Sequence, residues 1–227
     1  MINYTNIMKD KSAYFSDEEI EKMFQYCFDI ENIKYYMLIL TLQRTGRRVS
    51  EIVGAKPFLY NKGLRPCDIH PDGLIEFDIL KKNHIKSKNR QGKTLNEEKI
   101  LKARLTKEPK RQLFPVDEFF LQELKKYIDH LGIMPYERVF PMTRQGVDKI
   151  IKKIAKGCNI SRSNCKIHAH MFRHTFAINL LKKESSNPAA LLILKDLLDH
   201  SSIEVTQTYT QFTPGDKAKV LNNIFIK

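Results

Sequence analysis

Two stretches near the C-terminal end carry residues suited to phosphate chemistry. The first is His170-Met171-Phe172-Arg173-His174; the second is Leu198-Asp199-His200-Ser201-Ser202, followed by Tyr209. His170 and Arg173 stand three apart in a stretch of helical periodicity, so both leave one face of one turn. Tyr209 follows His200 by nine residues across a short polar segment able to turn the chain back. Cations around a phosphate with a phenol beside them would let the phenol attack a phosphodiester.

Such a site needs an anionic polymer as substrate, and the composition points the same way. The 227 residues carry 39 Lys and Arg against 26 Asp and Glu, a formal net charge of +13. A surplus of that size attracts polyanions, of which nucleic acid is the commonest. Hydrophobic content of 42% with 29% charged residues suits a globular chain able to bury a core. Residues 1–10 are polar and lack the apolar run of a signal peptide. The longest apolar run, 35–42, is broken by Gln43-Arg44 and is too short to span a membrane. The expected setting is the cytoplasm, with no membrane partner. The four cysteines (Cys27, Cys67, Cys158 and Cys165) form no CxxC pair and read as free thiols in a reducing compartment.

The elements that must hold the site follow from periodicity and caps. Ser16-Asp17-Glu18-Glu19 has the form of a capping box, with Ile20, Met23 and Phe24 on one stripe behind it. A mostly buried helix is expected over 33–42 and a short one from Arg48 through Val53. Pro57, Gly63 and Pro66 then punctuate a loop. From 67 to 116 the period changes. Residues 74–80 alternate after the turn Pro71-Asp72-Gly73 and read as a strand; 100–106 and 112–115 read as two more, joined by a tight turn at 107–110. Between the first and second of these strands, 83–99 is a polar, cationic loop suited to contacting nucleic acid. Helices return over 117–131 (Phe120, Leu124, Tyr127 and Leu131 inward), 145–155, 170–181 and 188–198, with Pro188 at a helix start. A last amphipathic helix is expected in 214–227. The fold class is mainly α with a small antiparallel β-sheet.

Thr45-Gly46-Arg47-Arg48-Val49-Ser50-Glu51 adds a third cationic group. Gly46 supplies a turn, Arg48 opens a helix, and Glu51 lies one turn on, placed to hold one edge of the guanidinium. An arginine at a helix N-terminus joins its donors to the exposed amides, a seat for phosphate oxygens. On a solvated face the same pair would contribute only a few tenths of a kcal/mol.

Taken in order, these motifs resemble the catalytic domain of the tyrosine recombinase (phage integrase) family. Thr45, Gly46, Arg48, Ser50 and Glu51 match its Thr-Gly-x-Arg-x-Ser-Glu pattern. His170, Arg173 and His174 match His-x-Leu-Arg-His, with Phe172 in place of leucine. Leu198, His200, Ser201 and Ser202, then Thr206, Gln207 and Tyr209, match Leu-Gly-His-Ser-Ser and Thr-Gln-x-Tyr. The resemblance implies the tyrosine recombinase catalytic-domain fold over 14–213. Residues 1–13 would be a short extension, and the 214–227 helix would pack on a neighbouring protomer or on its own domain. It also implies a lysine in a strand turn, for which Lys107 stands in the right register.

The implied activity is site-specific cleavage and rejoining of double-stranded DNA through a 3′-phosphotyrosyl intermediate. Arg48 and Arg173 would clamp the non-bridging oxygens, Tyr209 would attack, and His170 would serve as base. Lys107 would protonate the leaving 5′ oxygen, His200 would hydrogen-bond the phosphate, and Glu51 would support Arg48. His174 reads as a structural neighbour and His168 as a bystander. No cofactor and no metal is expected, since the phosphotyrosine keeps the energy of the broken link. Self-association as a tetramer on DNA is implied, with a dimer or monomer free in solution. Such enzymes often serve mobile elements.

Two departures stand out. Asp199 occupies the position where the family has glycine, which matters if the backbone there requires positive φ. The family's usual N-terminal DNA-gripping module is also not in the sequence. That fits either a minimal recombinase or part of a longer chain. Two competing readings share the scaffold: a type IB topoisomerase-like nicking and closing enzyme, and a DNA-binding regulator without turnover.

Overall fold

The computed structural model describes residues 13–54, 62–79, 110–163, 166–184, 187 and 189–199. The expected strand at 100–106, the 83–99 loop, the 214–227 helix, Pro188 and Cys165 lie outside those residues. The chain divides into two compact units, one made of 1–47 with 148–227 and the other of 48–147.

In the first unit, α1 (Asp17–Asp29) begins with the expected capping box. Ser16 Oγ accepts from the Glu19 amide at 3.2 Å, and Glu19 Oε2 accepts from the Ser16 amide at 2.9 Å. Ile20, Met23 and Cys27 form its buried stripe. α2 (Ile33–Thr45) is capped by Asn32, whose side chain accepts from the Tyr35 amide at 3.0 Å. Every residue from Met37 to Leu42 is buried, so this helix is apolar nearly all round and runs through the core. It continues past the expected Leu42 to its left-handed cap at Gly46, and Thr41 and Thr45 turn their hydroxyls onto the carbonyls of Met37 and Thr41, at 2.8 and 2.7 Å. Buried threonine is thereby satisfied without breaking the helix.

Among the described residues, three further helices run from Arg144 onward: α5 (Arg144–Gly157), which spans the boundary at 147, and α6 (His170–Lys183) and α7 (Ala190–Leu197) in the first unit. α6 packs on both α2 and α7. Ala177, Ile178 and Leu181 meet Ala190, Leu194 and Leu198 in one apolar cluster. Thr175 Oγ1 accepts from the Phe15 amide at 2.9 Å, and the Phe15 ring lies 4.8 Å from that of Phe172, fastening the start of α1 to α6. Arg162 completes this fastening, with two 2.6 Å bonds to the Glu19 carboxylate and one of 3.1 Å to the Tyr14 carbonyl. Burial alone would raise the Glu19 carboxyl; the bonds from Arg162 and the Ser16 amide hold it below the usual carboxylate value.

The second unit contains α3 (Val49–Val53), a 3-10 turn at Pro66–Asp68, β1 (Leu74–Ile79), β2 (Lys110–Pro115) and α4 (Glu118–Leu131). β1 and β2 pair antiparallel, Leu74 opposite Pro115 and Ile79 opposite Lys110. The alternation in β1 turns Ile75, Phe77 and Ile79 inward, where Phe77 meets Phe114 edge-on at 6.2 Å. On the other face, Arg111 bonds Asp68 at 2.6 Å and Glu76 at 2.7 Å, while Arg65 bonds both oxygens of Asp68. α4 starts one residue later than expected because Asp117 is its cap, accepting from the Phe120 amide at 3.0 Å. Phe120, Leu124 and Tyr127 are buried as expected, but Leu131 is 48% exposed. The covered stripe ends at Ile128, and the helix outruns the layer beneath it. Mostly helical with a two-stranded antiparallel sheet is thus the class of the described fold. No helix among the described residues is long and apolar enough to cross a membrane.

Candidate active site

Arg173 lies in the second turn of α6 and is only 3% exposed. A guanidinium so buried must be met by acceptors. Its Nη1 donates to the carbonyl of Gly46 at 3.1 Å and its Nη2 to the carbonyl of Leu198 at 2.6 Å. One side chain therefore ties together the turn that follows α2, the helix that carries it, and the end of α7. Those are the three places where the sequence motifs fall.

Gly46 is fitted to this role by its backbone. Its φ of +57° ends α2 in the left-handed region, where glycine is at ease. A Cβ added there would lie 2.6 Å from Cδ1 of Phe176, so the α6 ring closes over the turn only because no side chain is present. The site end of α7 is shaped similarly. Asp199 has φ +47°, which supplies the physical reason for the family's glycine at that position. Aspartate enters this region at less cost than most residues.

Arg48 stands at the N-cap of α3, in the second unit. Its Nη1 donates to Glu51 Oε1 at 2.8 Å, and Glu51 Oε2 accepts from the Arg48 amide at 3.1 Å. Glu51 is 1% exposed whereas the Arg48 side chain retains 32%, so this is not a solvated surface pair. The carboxylate works from inside, holding one guanidinium edge and the helix start and leaving the arginine partly open to solvent.

His170 is the first residue of α6 and is exposed. Arg173, one turn on, is buried, so the two share a helix turn but face different surroundings. The His174 ring meets the His170 ring edge-on, centroids 4.9 Å apart and planes at 88°. The His168 ring lies 6.4 Å from that of His170 with the planes at 26°, and its carbonyl accepts from the Met171 amide at 3.1 Å. Burial, then the charges of His168 and Arg173, hold His174 below the ordinary imidazole value. Lys107, His200 and Tyr209 lie outside the described residues.

Two contributors carried no local signal in the sequence. Asp148 Oδ1 accepts from the Ala169 amide at 2.9 Å and so fixes the entry to α6 from 21 residues upstream. Arg47, beside the expected Arg48, is 2% exposed and among the largest fully buried side chains. Adjacent arginines with opposite exposure cannot be told apart by type.

A family model described as the phage integrase family matches residues 58–215. The tyrosine recombinase XerC of Listeria monocytogenes is 27% identical over 203 residues, covering 88% of this chain and 58% of that protein. The chain spans 58% of the length of this relative, and 58% of a tyrosine recombinase of Pseudothermotoga lettingae to which it is 24% identical over 213 residues. Among solved structures, the Tn1549 transposon integrase in complex with transposon right end DNA is similar with TM-score 0.63 and 17% identity. That match covers 99% of this chain and 70% of that one. The catalytic domain of bacteriophage HP1 integrase is similar with TM-score 0.56 and 18% identity, covering 92% and 93% of the two chains. At these identities the structural likeness establishes the fold.

Proposed function

The chain belongs to the phage integrase family, and on that premise we propose that it is a site-specific DNA recombinase acting through a 3′-phosphotyrosyl intermediate. The observation that carries the reading is Arg173, a buried guanidinium bonded at once to Gly46 and Leu198. Such fixing makes sense for a group that must meet developing negative charge without reorganising. The formal charge of +13 supports a DNA partner. So does the DNA bound to the similar Tn1549 integrase.

In this proposal Arg48 and Arg173 hold the non-bridging oxygens of one phosphodiester. The Tyr209 oxygen attacks phosphorus, the bond from phosphorus to the 5′ oxygen breaks, and His170 takes the phenol proton. Lys107 gives a proton to the departing 5′ oxygen, so a free hydroxyl leaves. His200 hydrogen-bonds the phosphate. A free phenol, with a pKa near 10, is ionised only about once in a thousand at neutral pH, so nearby cations or the base must activate the nucleophile. Attack by a 5′ hydroxyl on the phosphotyrosine reverses each step. The bond count is unchanged throughout, and neither ATP nor a metal is called for.

We place the protein on DNA as a tetramer, with the 83–99 loop along the duplex and the 214–227 helix on a neighbouring protomer. A suicide substrate, nicked so that the 5′ fragment diffuses away, traps the covalent complex. The expected result is trapped protein for the parent and none for Tyr209→Phe. A four-way junction product from two intact sites marks a recombinase. Relaxation of supercoils without junctions marks a topoisomerase instead, and no covalent product from the parent refutes the proposal.

A further inference from the structure

The family motifs leave His174 without a task, yet the geometry gives it one. We propose that His174 is a positioning residue for His170, its ring set edge-on to hold the His170 imidazole in the orientation that receives the Tyr209 proton. The inference rests on the recombinase reading for the identity of that proton, and on this molecule's coordinates for the contact.

His170 needs such a support because of where it stands. It is the first residue of α6 and exposed, so the helix holds its backbone from one side only. Which rotamer an exposed imidazole keeps depends on what packs beside it. His174, one turn further along the same helix and half-buried, supplies that filling at a centroid distance of 4.9 Å and an angle of 88°. Edge-to-face is the arrangement aromatic rings prefer, and such pairs contribute beyond mere area. His168 stacks on His170 from the segment before α6, which Asp148 fixes through the Ala169 amide.

Charge decides why the support must remain neutral. Besides the His170 ring that it meets, His174 faces His168, from the preceding segment, and Arg173, its neighbour on α6. Burial comes first and these two second, and all three disfavour its protonated form. A second imidazolium beside His170 would oppose the positive charge that His170 gains on taking a proton. An uncharged ring orients the base without that penalty.

The test uses the full chain carrying 13C-labelled histidine, with the His170 resonance assigned through His170→Asn. His174→Ala removes the ring; His174→Phe keeps an uncharged aromatic edge. Losing the ring changes what the His170 imidazole packs against, so its titration midpoint in His174→Ala should move from the parent's. Single-turnover cleavage should fall about tenfold with its pH profile displaced in the same direction. His174→Phe should hold both within about twofold of the parent. Unaltered circular dichroism shows that the Ala variant remains folded. A His170 midpoint unchanged in His174→Ala overturns the inference, as does a loss in His174→Phe equal to that in His174→Ala. A parent that cleaves no DNA overturns the recombinase reading instead, and the titration, which needs no DNA, still decides whether the rings are coupled.

Discussion

Arg173 donates through Nη2 to the carbonyl oxygen of Leu198 at 2.6 Å, so the catalytic-motif helix α6 is fastened to the residue two before His200 in the sequence. With the second bond to Gly46 at 3.1 Å, the guanidinium is a structural tie as well as a candidate phosphate clamp. Arg173→Lys separates the two properties, because lysine keeps the charge and loses the planar fork. Single-turnover cleavage is expected to fall by about 10²–10³. Urea unfolding is expected to show a loss of about 1–3 kcal/mol for the abandoned carbonyls. An unchanged midpoint in urea would mean that neither carbonyl depends on this side chain.

Glu51 is nearly inaccessible and accepts from both the Arg48 guanidinium and the Arg48 amide. Glu51→Gln preserves shape but leaves one acceptor oxygen and no charge, so the amide group cannot satisfy both donors. The expected cost is about 1–3 kcal/mol in denaturant unfolding. Cleavage should fall further than stability accounts for, because Arg48 loses its fixed direction. Measuring both on one preparation, at a temperature where the variant is fully folded, checks the second part.

What could be read in the sequence was local, and what could not was tertiary. Ser16 and Glu19 stand at a spacing that only a capping box explains, and β1 alternates because one sheet face meets the core; both expectations hold. The pairing of Glu51 with Arg48 followed from i,i+3 spacing. Its burial did not, since burial depends on what the rest of the unit places around α3. The same holds for Arg162 reaching Glu19 and for Asp148 reaching the Ala169 amide, each separated by many residues. That Arg173 bonds Gly46 and Leu198 could not be anticipated either. The motifs named which residues matter, while the bonds between them depend on how α2, α6 and α7 pack.

Asp199 is the position where the backbone argument can be tested directly. At φ +47° an L residue is strained, aspartate less than most. Asp199→Gly is expected to raise stability by no more than about 1 kcal/mol, because relief of strain is partly offset by the freer unfolded chain. Asp199→Val, with a branched Cβ, should lose about 1–2 kcal/mol. The ordering Gly at or above Asp, and Asp above Val, in thermal unfolding is the expected result; valine as stable as aspartate would place this residue outside the left-handed region.

Gly46 brings two costs to any replacement. Alanine there adopts φ +57°, worth about 1–2 kcal/mol. Its Cβ also meets Phe176 at 2.6 Å from Cδ1 and 2.9 Å from Cβ, so the whole residue must move and not only the ring edge. Overpacking of that kind adds about 1–3 kcal/mol. Gly46→Ala is therefore expected to destabilise by about 2–5 kcal/mol in urea unfolding. A double-mutant cycle isolates the ring's share, since Phe176→Ala removes Cγ and Cδ1 but keeps the dihedral strain and the 2.9 Å approach to Cβ. In the double variant, Gly46→Ala should cost less than in the parent by the ring's part alone. Because the Gly46 carbonyl accepts from Arg173, displacement of this turn also loosens the guanidinium, so cleavage by Gly46→Ala should drop even under conditions where the protein is folded. Full cleavage by a folded Gly46→Ala would show that the bond to Arg173 does not set the arginine's working position.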